Sequence, residues 1–197
     1  MRFSIIVPAY NAECHIRKAL DSIKSQTFKD YECIVVCDSC VDNTEQIAQS
    51  YGFKTVAVDF HNDGLSRSKG LDLAKGEYVL FMDDDDWWIH EYVLEQIDRK
   101  LRDEDILIFS FIFKGNGYAD PKSMGGKPWI AVWCKCWKRS FIGSTRFPCV
   151  EAVSDWFFHQ EMFSKNPSIT YWDMPMYYYN FLRRGSISDK RQRGEKI

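Results

Sequence analysis

The chain has no long apolar run. Nowhere in its 197 residues do about 18 hydrophobic side chains follow one another, so no membrane-spanning helix is encoded. The nearest stretch, Ile106 to Phe113, is broken by Ser110 and reads as a buried strand. Glycine (11) and proline (6) are sparse, and with 45% hydrophobic and 27% charged residues this excludes collagen-like, low-complexity and disordered chains. A basic excess is also missing. Lys+Arg 26 against Asp+Glu 28 gives a net charge of −2, which leaves no global field to hold nucleic acid. The opening Met1–Val7 run meets Pro8 too early for a signal-peptide core and carries no small-residue cleavage site. The 7 cysteines are odd in number and scattered, so free thiols in a reducing compartment are expected. These absences together imply a cytoplasmic protein, with any membrane contact peripheral.

What the chain does have is aromatic residues and an alternating rhythm. Phe, Trp and Tyr make up 16%, with Trp 7 and Tyr 10, enough for a thick core and flat faces that suit rings or sugars. Strand-like runs at Phe3–Val7, Tyr31–Val36, Lys54–Val58 and Tyr78–Met82 alternate with helical patterns. The helices are Ile16–Ile23 (Ile16, Ala19, Leu20 and Ile23 on one face), Thr44–Tyr51, Leu65–Ala74 stopped by Gly76, and a stripe of Ile89, Val93, Ile97 and Leu101. That order predicts an α/β fold, a Rossmann-like and mostly parallel sheet flanked by helices. After Phe113 the rhythm changes. Lys114–Lys127 reads as a loop, Trp129–Val132 as a short apolar run, Asp155–Lys165 as a helix, and Ile169–Asp173 as a strand leading into Tyr177–Tyr179. We expect one domain in two halves, 1–103 on a nucleotide side and 104–188 on a smaller acceptor side, with 189–197 a frayed charged tail.

The chemistry sits at strand ends. Asp83-Asp84-Asp85-Asp86 follows the apolar strand directly, where parallel sheets bind their ligands. Several like charges on one turn need a cation or raised pKa values, and a hard divalent cation with bound phosphates satisfies both. Helix capping is the plain alternative and accounts well for Asp86 alone. Val7-Pro8-Ala9-Tyr10-Asn11 ends the first strand with a ring and an amide, and Cys37-Asp38-Ser39-Cys40-Val41-Asp42 ends the second with acids, though Asn11 and Asp42 could each merely cap a helix. A ring, an acid and an acid cluster at three strand ends describe a nucleotide site. The cysteine pairs Cys37/Cys40 and Cys134/Cys136 could be a zinc set or a redox pair, but no turn-rich flank surrounds the second pair. Trp133 and Trp137 are expected in the core.

Taken in order, SIIVPAYN, CDSCVDNT and NDGLSRSKGLDLAKGEYVLFMDDDDWW resemble the successive motifs of the inverting family 2 glycosyltransferases with the GT-A fold. The resemblance is close over about the first hundred residues and looser to Ser188. It implies that Pro8, Ala9, Tyr10, Asn11, Asp38, Arg67, Asp83 and Asp84 bind a nucleotide-sugar, with Tyr10 on the base and Asp38 paired to it. It further implies that Asp85, the last acid of the Asp-x-Asp motif, holds a divalent metal, Mn2+ or Mg2+. Cys37-Asp38-Ser39-Cys40 departs from the usual Asp-Asp-Gly-Ser, losing one acid and the glycine. In the second half the family places an Asp, often after a Glu, at a helix start. Here Asp155 takes that place as catalytic base and Ser154 replaces the Glu; the plain alternative is that either residue caps the helix. His159, one turn on, is expected to be packed or on the surface. Arg183, Arg184 and Gly185–Ser188 would form a lid over the diphosphate. The segment 183–197 carries six basic residues against Asp189 and Glu195, which suits a diphosphate or an anionic membrane face.

The implied function is transfer of a sugar to an acceptor hydroxyl with inversion, in polysaccharide or glycan assembly, the acceptor being a glycan or lipid-linked glycan. Two other classes stay open at this point: a non-catalytic nucleotide- or sugar-binding domain, and a nucleotidyl- or phosphotransferase.

Overall fold

The structure, a computed structural model, describes residues 1–113, 117–122, 125–150, 153–181 and 193–194. The lid and tail segments expected at 183–197 therefore lie outside the described residues, apart from Arg193 and Gly194.

Strand β1 (Phe3–Ala9) is buried along nearly its whole length, as expected for a run of branched and aromatic side chains covered on both faces. It pairs in parallel with β2 (Tyr31–Asp38) on one side and β4 (Tyr78–Phe81) on the other, and β3 (Lys54–Val58) adds to β2. Helices α1 (Ile16–Lys24), α2 (Thr44–Ser50) and α3 (Asp63–Leu73) make the crossovers. Helix α1 buries the predicted stripe, Ile16, Ala19, Leu20 and Ile23. Helix α3 lies directly on β1. A Cβ at Gly70 would stand 2.3 Å from Ile6 Cγ2, so only glycine permits this approach.

The remaining elements are β5 (Trp87–Trp88), α4 (Val93–Lys100), β6 (Ile106–Phe113), β7 (Gly117–Ala119), β8 (Lys135–Lys138), α5 (Arg139–Ile142), α6 (Ser154–Ser164) and β9 (Ile169–Tyr179). One sheet runs through both halves in the order β3-β2-β1-β4-β8-β6-β9-β5, with β7 paired to β6. Most of the ladder length is parallel; β8 enters antiparallel between β4 and β6, and β5 and β7 are antiparallel additions. The expected α/β architecture is present.

Three local expectations change, and one strand was not expected. Within the predicted loop 114–127, Gly117–Ala119 pairs with Phe111–Phe113 as a strand. After the apolar run Trp129–Val132 comes a strand the sequence did not suggest, Lys135–Lys138, whose lysines disguise a fully buried position at Lys135. Helix α4 starts only at Val93, because Trp87–Trp88 pair with Tyr177–Tyr178 and Ile89 donates to the Met176 carbonyl. Asp86 consequently caps no helix. It is fully buried against β9. The predicted core tryptophans, Trp133 and Trp137, are buried, and Trp133 stacks on Tyr177 at 4.6 Å.

Candidate active site

The carboxyl ends of β1, β2 and β4 meet at one edge, and the loops leaving them are locked by side chains. At the end of β1, Pro8 lies beyond the last residue paired to β4, so its missing N–H breaks no ladder there. Ala9 is buried and its carbonyl accepts from Cys40 Sγ at 3.4 Å. Asn11 sits at φ 46, a left-handed position that asparagine tolerates, and its Oδ1 accepts from Val41 N–H at 2.9 Å. The Tyr10 ring is left 58% exposed. It presents a free aromatic face on which a base could stack.

Asp38 is only 4% exposed, and its carboxylate is fully engaged. Oδ1 accepts from Phe60 N–H (2.7 Å), His61 N–H (2.9 Å) and Ser39 Oγ (2.9 Å), while Oδ2 accepts from Asn62 N–H (2.8 Å) and Ser66 Oγ (2.9 Å). Burial opposes its charge, but the Asn62 and Phe60 N–H groups and Ser39 outweigh that and hold its carboxyl below the usual range. Five donors saturate the roughly four lone-pair directions of a carboxylate. Asp38 thus fixes the loop into α3.

The aspartate turn divides its labour. Asp84 faces back to β1, accepting from Tyr10 N–H at 3.2 Å and meeting His15 Nε2 at 3.1 Å. Asp86 accepts from the Tyr177 hydroxyl at 2.7 Å and from Asn180 N–H at 2.8 Å; burial and the charges of Asp83 and Asp85 push its carboxyl well up. Asp85 is half-buried beside a depression lined by Cys14, Arg17, Lys18 and Asn180. Asp83 turns inward to Arg67.

Arg67 is the hub. Its buried guanidinium meets Asp63 from Nη1 at 2.5 Å and Asp83 from Nη2 at 2.7 Å, with Asp155 Oδ1 at 3.5 Å from Nη1. Burial opposes the charge on Arg67, but Asp155, Asp83 and Asp63 more than offset it and hold its pKa well above the usual value. Burial, opposed by Arg67 and assisted by Asp155 and Asp85, pushes Asp83 up to about 7. Asp155 lies in the first turn of α6, which begins after Val153 at φ 61. Neither Ser154 nor Asp155 caps that helix through its side chain. Asp155 Oδ2 accepts from Val132 N–H at 3.2 Å, and its buried Oδ1 has no hydrogen-bond partner. Helices α3 and α6 pack tightly enough here that a Cβ at Gly64 would lie 2.9 Å from Ser154 Cβ. His159 is packed, stacking on Phe163 at 4.0 Å, and burial pulls its pKa down to about 3.

The model of "Glycosyl transferase family 2" matches residues 4–167. The chain belongs to this family. EpsH of Bacillus subtilis (strain 168) is 32% identical over 220 aligned residues, covering 96% of this chain and 63% of EpsH. TarS 1–349 of S. aureus, solved in complex with UDP, superposes with a TM-score of 0.80 at 25% identity, covering 91% of this chain and 60% of that one. The mannosyltransferase PcManGT from Pyrobaculum calidifontis, solved with GDP-Man and Mn2+, shares the fold, with a TM-score of 0.76 at 18% identity over 98% of this chain and 60% of its own. These neighbours have the GT-A fold, as the motifs implied. The chain spans less than two thirds of the length of each of these proteins.

Among the described residues of this family 2 chain, no three His, Cys, Asp or Glu side chains form a ready-made cage for an ion. Cys37 lies on β2 and Cys136 on β8, with β1 and β4 between them, so the four cysteines are not brought together. The aspartate turn does fit a cation that draws most of its ligands from diphosphate and water, since it sets the half-buried Asp85 carboxylate beside Asp83, whose carboxyl burial, Asp155 and Asp85 together push up. Sequence reasoning missed Asp63, Tyr177 and the buried Lys135. Asp63 had a signal, standing four residues before Arg67 on one helix face. Lys135 had none; its Nζ donates to the carbonyls of Trp129 and Ala131, and so shapes the loop that offers Val132 N–H to Asp155.

Proposed function

We propose that the chain transfers a glycosyl group from a nucleoside-diphosphate sugar to an acceptor hydroxyl with inversion, with Asp155 as the base. The observation that carries this is the buried Oδ1 of Asp155, which makes no hydrogen bond and lies 3.5 Å from Nη1 of the Arg67 that pairs with Asp83. An oxygen in that state is ready to accept a proton. Pro8, Ala9, Tyr10 and Asn11 form the donor-side wall, with the Tyr10 ring as the stacking face. Asp38 acts behind it by ordering the 60–62 loop. Arg67, Asp83 and Asp84 set the shape of the diphosphate end, and Asp85 supplies the protein ligand to Mn2+ or Mg2+. The UDP held by the TarS neighbour makes a uridine donor the first to test.

In the reaction the acceptor oxygen attacks the anomeric carbon from the face opposite the leaving group. The carbon–oxygen bond to the diphosphate breaks, and its electron pair stays on the diphosphate. The acceptor proton passes to Asp155. A divalent cation, when bound, neutralises charge on the departing diphosphate. The acceptor reading is a glycan or lipid-linked glycan, approached from the second half of the chain at a cytoplasmic membrane face. No helix among the described residues is long and apolar enough to cross a membrane.

The test is product analysis with a panel of nucleotide-sugars, Mn2+ and candidate acceptors. Nucleoside diphosphate release that collapses in Asp155→Asn, with nucleotide binding retained, supports the reading. Release of pyrophosphate would indicate nucleotidyl transfer instead, and binding without turnover a non-catalytic domain.

A further inference from the structure

Arg67 has three carboxylates around it and meets only two of them at hydrogen-bond distance. Its guanidinium is gripped at both ends, Nη1 by Asp63 and Nη2 by Asp83. Asp155 Oδ1, the third, is left at 3.5 Å from Nη1 without a hydrogen bond, although it is buried. The grip at Asp63 is itself braced. The oxygen that meets Nη1, Oδ2, also accepts from the Ser154 hydroxyl at 3.1 Å, and Ser154 immediately precedes Asp155 on α6.

We propose that Asp63 is a positioning residue, holding Arg67 Nη1 off Asp155 so that Oδ1 stays free for the acceptor proton. The inference rests on Asp155 as the base. Without Asp63, Nη1 has one carboxylate left within reach, and that carboxylate is Asp155. A charge-assisted arginine hydrogen bond there would occupy the lone pair that must take the proton. Asp63 touches neither donor nor acceptor in this arrangement. It acts through Arg67.

The experiment compares Asp63→Asn, Asp63→Glu and Ser154→Ala with the parent chain, measuring kcat, affinity for nucleoside diphosphate with Mn2+, and thermal midpoint. Asp63→Asn is expected to lower kcat roughly ten-fold or more, with diphosphate affinity within about two-fold. Asp63→Glu should recover most of the rate, because it restores the partner of Nη1. Ser154→Ala, which removes only the brace, should give a smaller loss with the same split and serves if Asp63→Asn folds poorly. In an Asp155→Asn background, Asp63→Asn should cost nothing further.

Three results would overturn the proposal: a kcat for Asp63→Asn within about two-fold of the parent, a parallel loss of diphosphate affinity, or an undiminished penalty in the Asp155→Asn background. Failure of the base reading looks different. There Asp155→Asn alone retains transfer, and the role of Asp63 falls with it; an inert Asp63→Asn beside a dead Asp155→Asn removes this proposal only.

Discussion

The Tyr177 hydroxyl bridges two members of the aspartate turn: it donates to Asp86 Oδ2 at 2.7 Å and accepts from the Asp83 backbone N–H at 3.1 Å. One buried ring on β9 thereby sets the conformation of the turn at the end of β4. Asp86 completes the link through Asn180 N–H. The aspartate turn after β4 is in this way held by a residue of β9.

Tyr177→Phe tests that link with almost no change in volume. It strips the donor from a buried Asp86 and the acceptor from Asp83 N–H, which should cost on the order of 1–3 kcal/mol in stability. Affinity for nucleoside diphosphate with Mn2+ should fall as well, because Asp83 and Asp85 lose their fixed turn. Chemical denaturation together with calorimetric titration measures both; unchanged diphosphate affinity would show that the turn is rigid without the hydroxyl.

Asp38 gives a pH prediction with a definite sign. Its folded pKa lies below the unfolded value, so its stabilising effect is present above about pH 4 and is lost as pH falls through the folded pKa. Asp38→Asn removes the charge and one acceptor oxygen from five donors, and should destabilise the chain by about 2–3 kcal/mol at pH 7. The gap between parent and variant should narrow as the pH drops below about 4. Urea midpoints from pH 7 to pH 3 provide the check, and a gap of constant size would mean that Asp38 is not an ionised anchor.

The sequence was most legible where pattern and burial coincide. In β1, β2 and β4 every apolar run became a buried strand, and the stripe of α1 became its buried face, because hydrophobic periodicity alone decides those elements. Arg67, Asp83 and Asp155 were singled out through family motifs rather than periodicity, and their meeting around one guanidinium is seen only in the structure. What stayed hidden depends on tertiary partners. Lys135 looks like a surface residue until the Trp129 and Ala131 carbonyls close on it. Asp86 resembles a helix cap until Tyr177 is known to stand 2.7 Å away. Asp38 has the sequence of a ligand-facing acid, and only the 60–62 loop reveals that its oxygens are already taken.

Metal removal should act on the diphosphate and leave the fold intact. Asp85 is half-buried at a turn whose backbone is held by Tyr177 and whose Asp84 is held by Tyr10 and His15, so the turn does not need an ion to keep its shape. Chelation is expected to abolish stabilisation by nucleoside diphosphate while leaving the thermal midpoint of the free chain unchanged. Asp85→Asn should behave as the chelated parent does, with Mn2+ present. If diphosphate stabilises the Asp85→Asn chain as strongly as the parent, the metal ligand lies elsewhere.

Lys135 offers a case where stability and activity should separate. Its ammonium is fully buried; burial pulls its pKa down, with Cys134 and Asp155 opposing that. Removing a buried charge relieves desolvation, while the freed Trp129 and Ala131 carbonyls lose their donor, so the two effects on folding largely offset. Lys135→Met, which keeps the volume, should therefore shift stability by no more than about 1–2 kcal/mol. The catalytic consequence has no such compensation. The loop from Trp129 to Val132 loses its clamp, the Val132 N–H no longer fixes Asp155 Oδ2, and the transfer rate should fall on the order of ten-fold or more at unchanged diphosphate affinity. Lys135→Arg keeps the charge but cannot place a single point donor between two carbonyls in the same space, so it should rescue little. Parallel measurement of denaturation midpoint, diphosphate affinity and kcat checks this. A rate loss no larger than the stability change predicts, or full rescue by arginine, would reduce Lys135 to a buried charge with no part in setting Asp155.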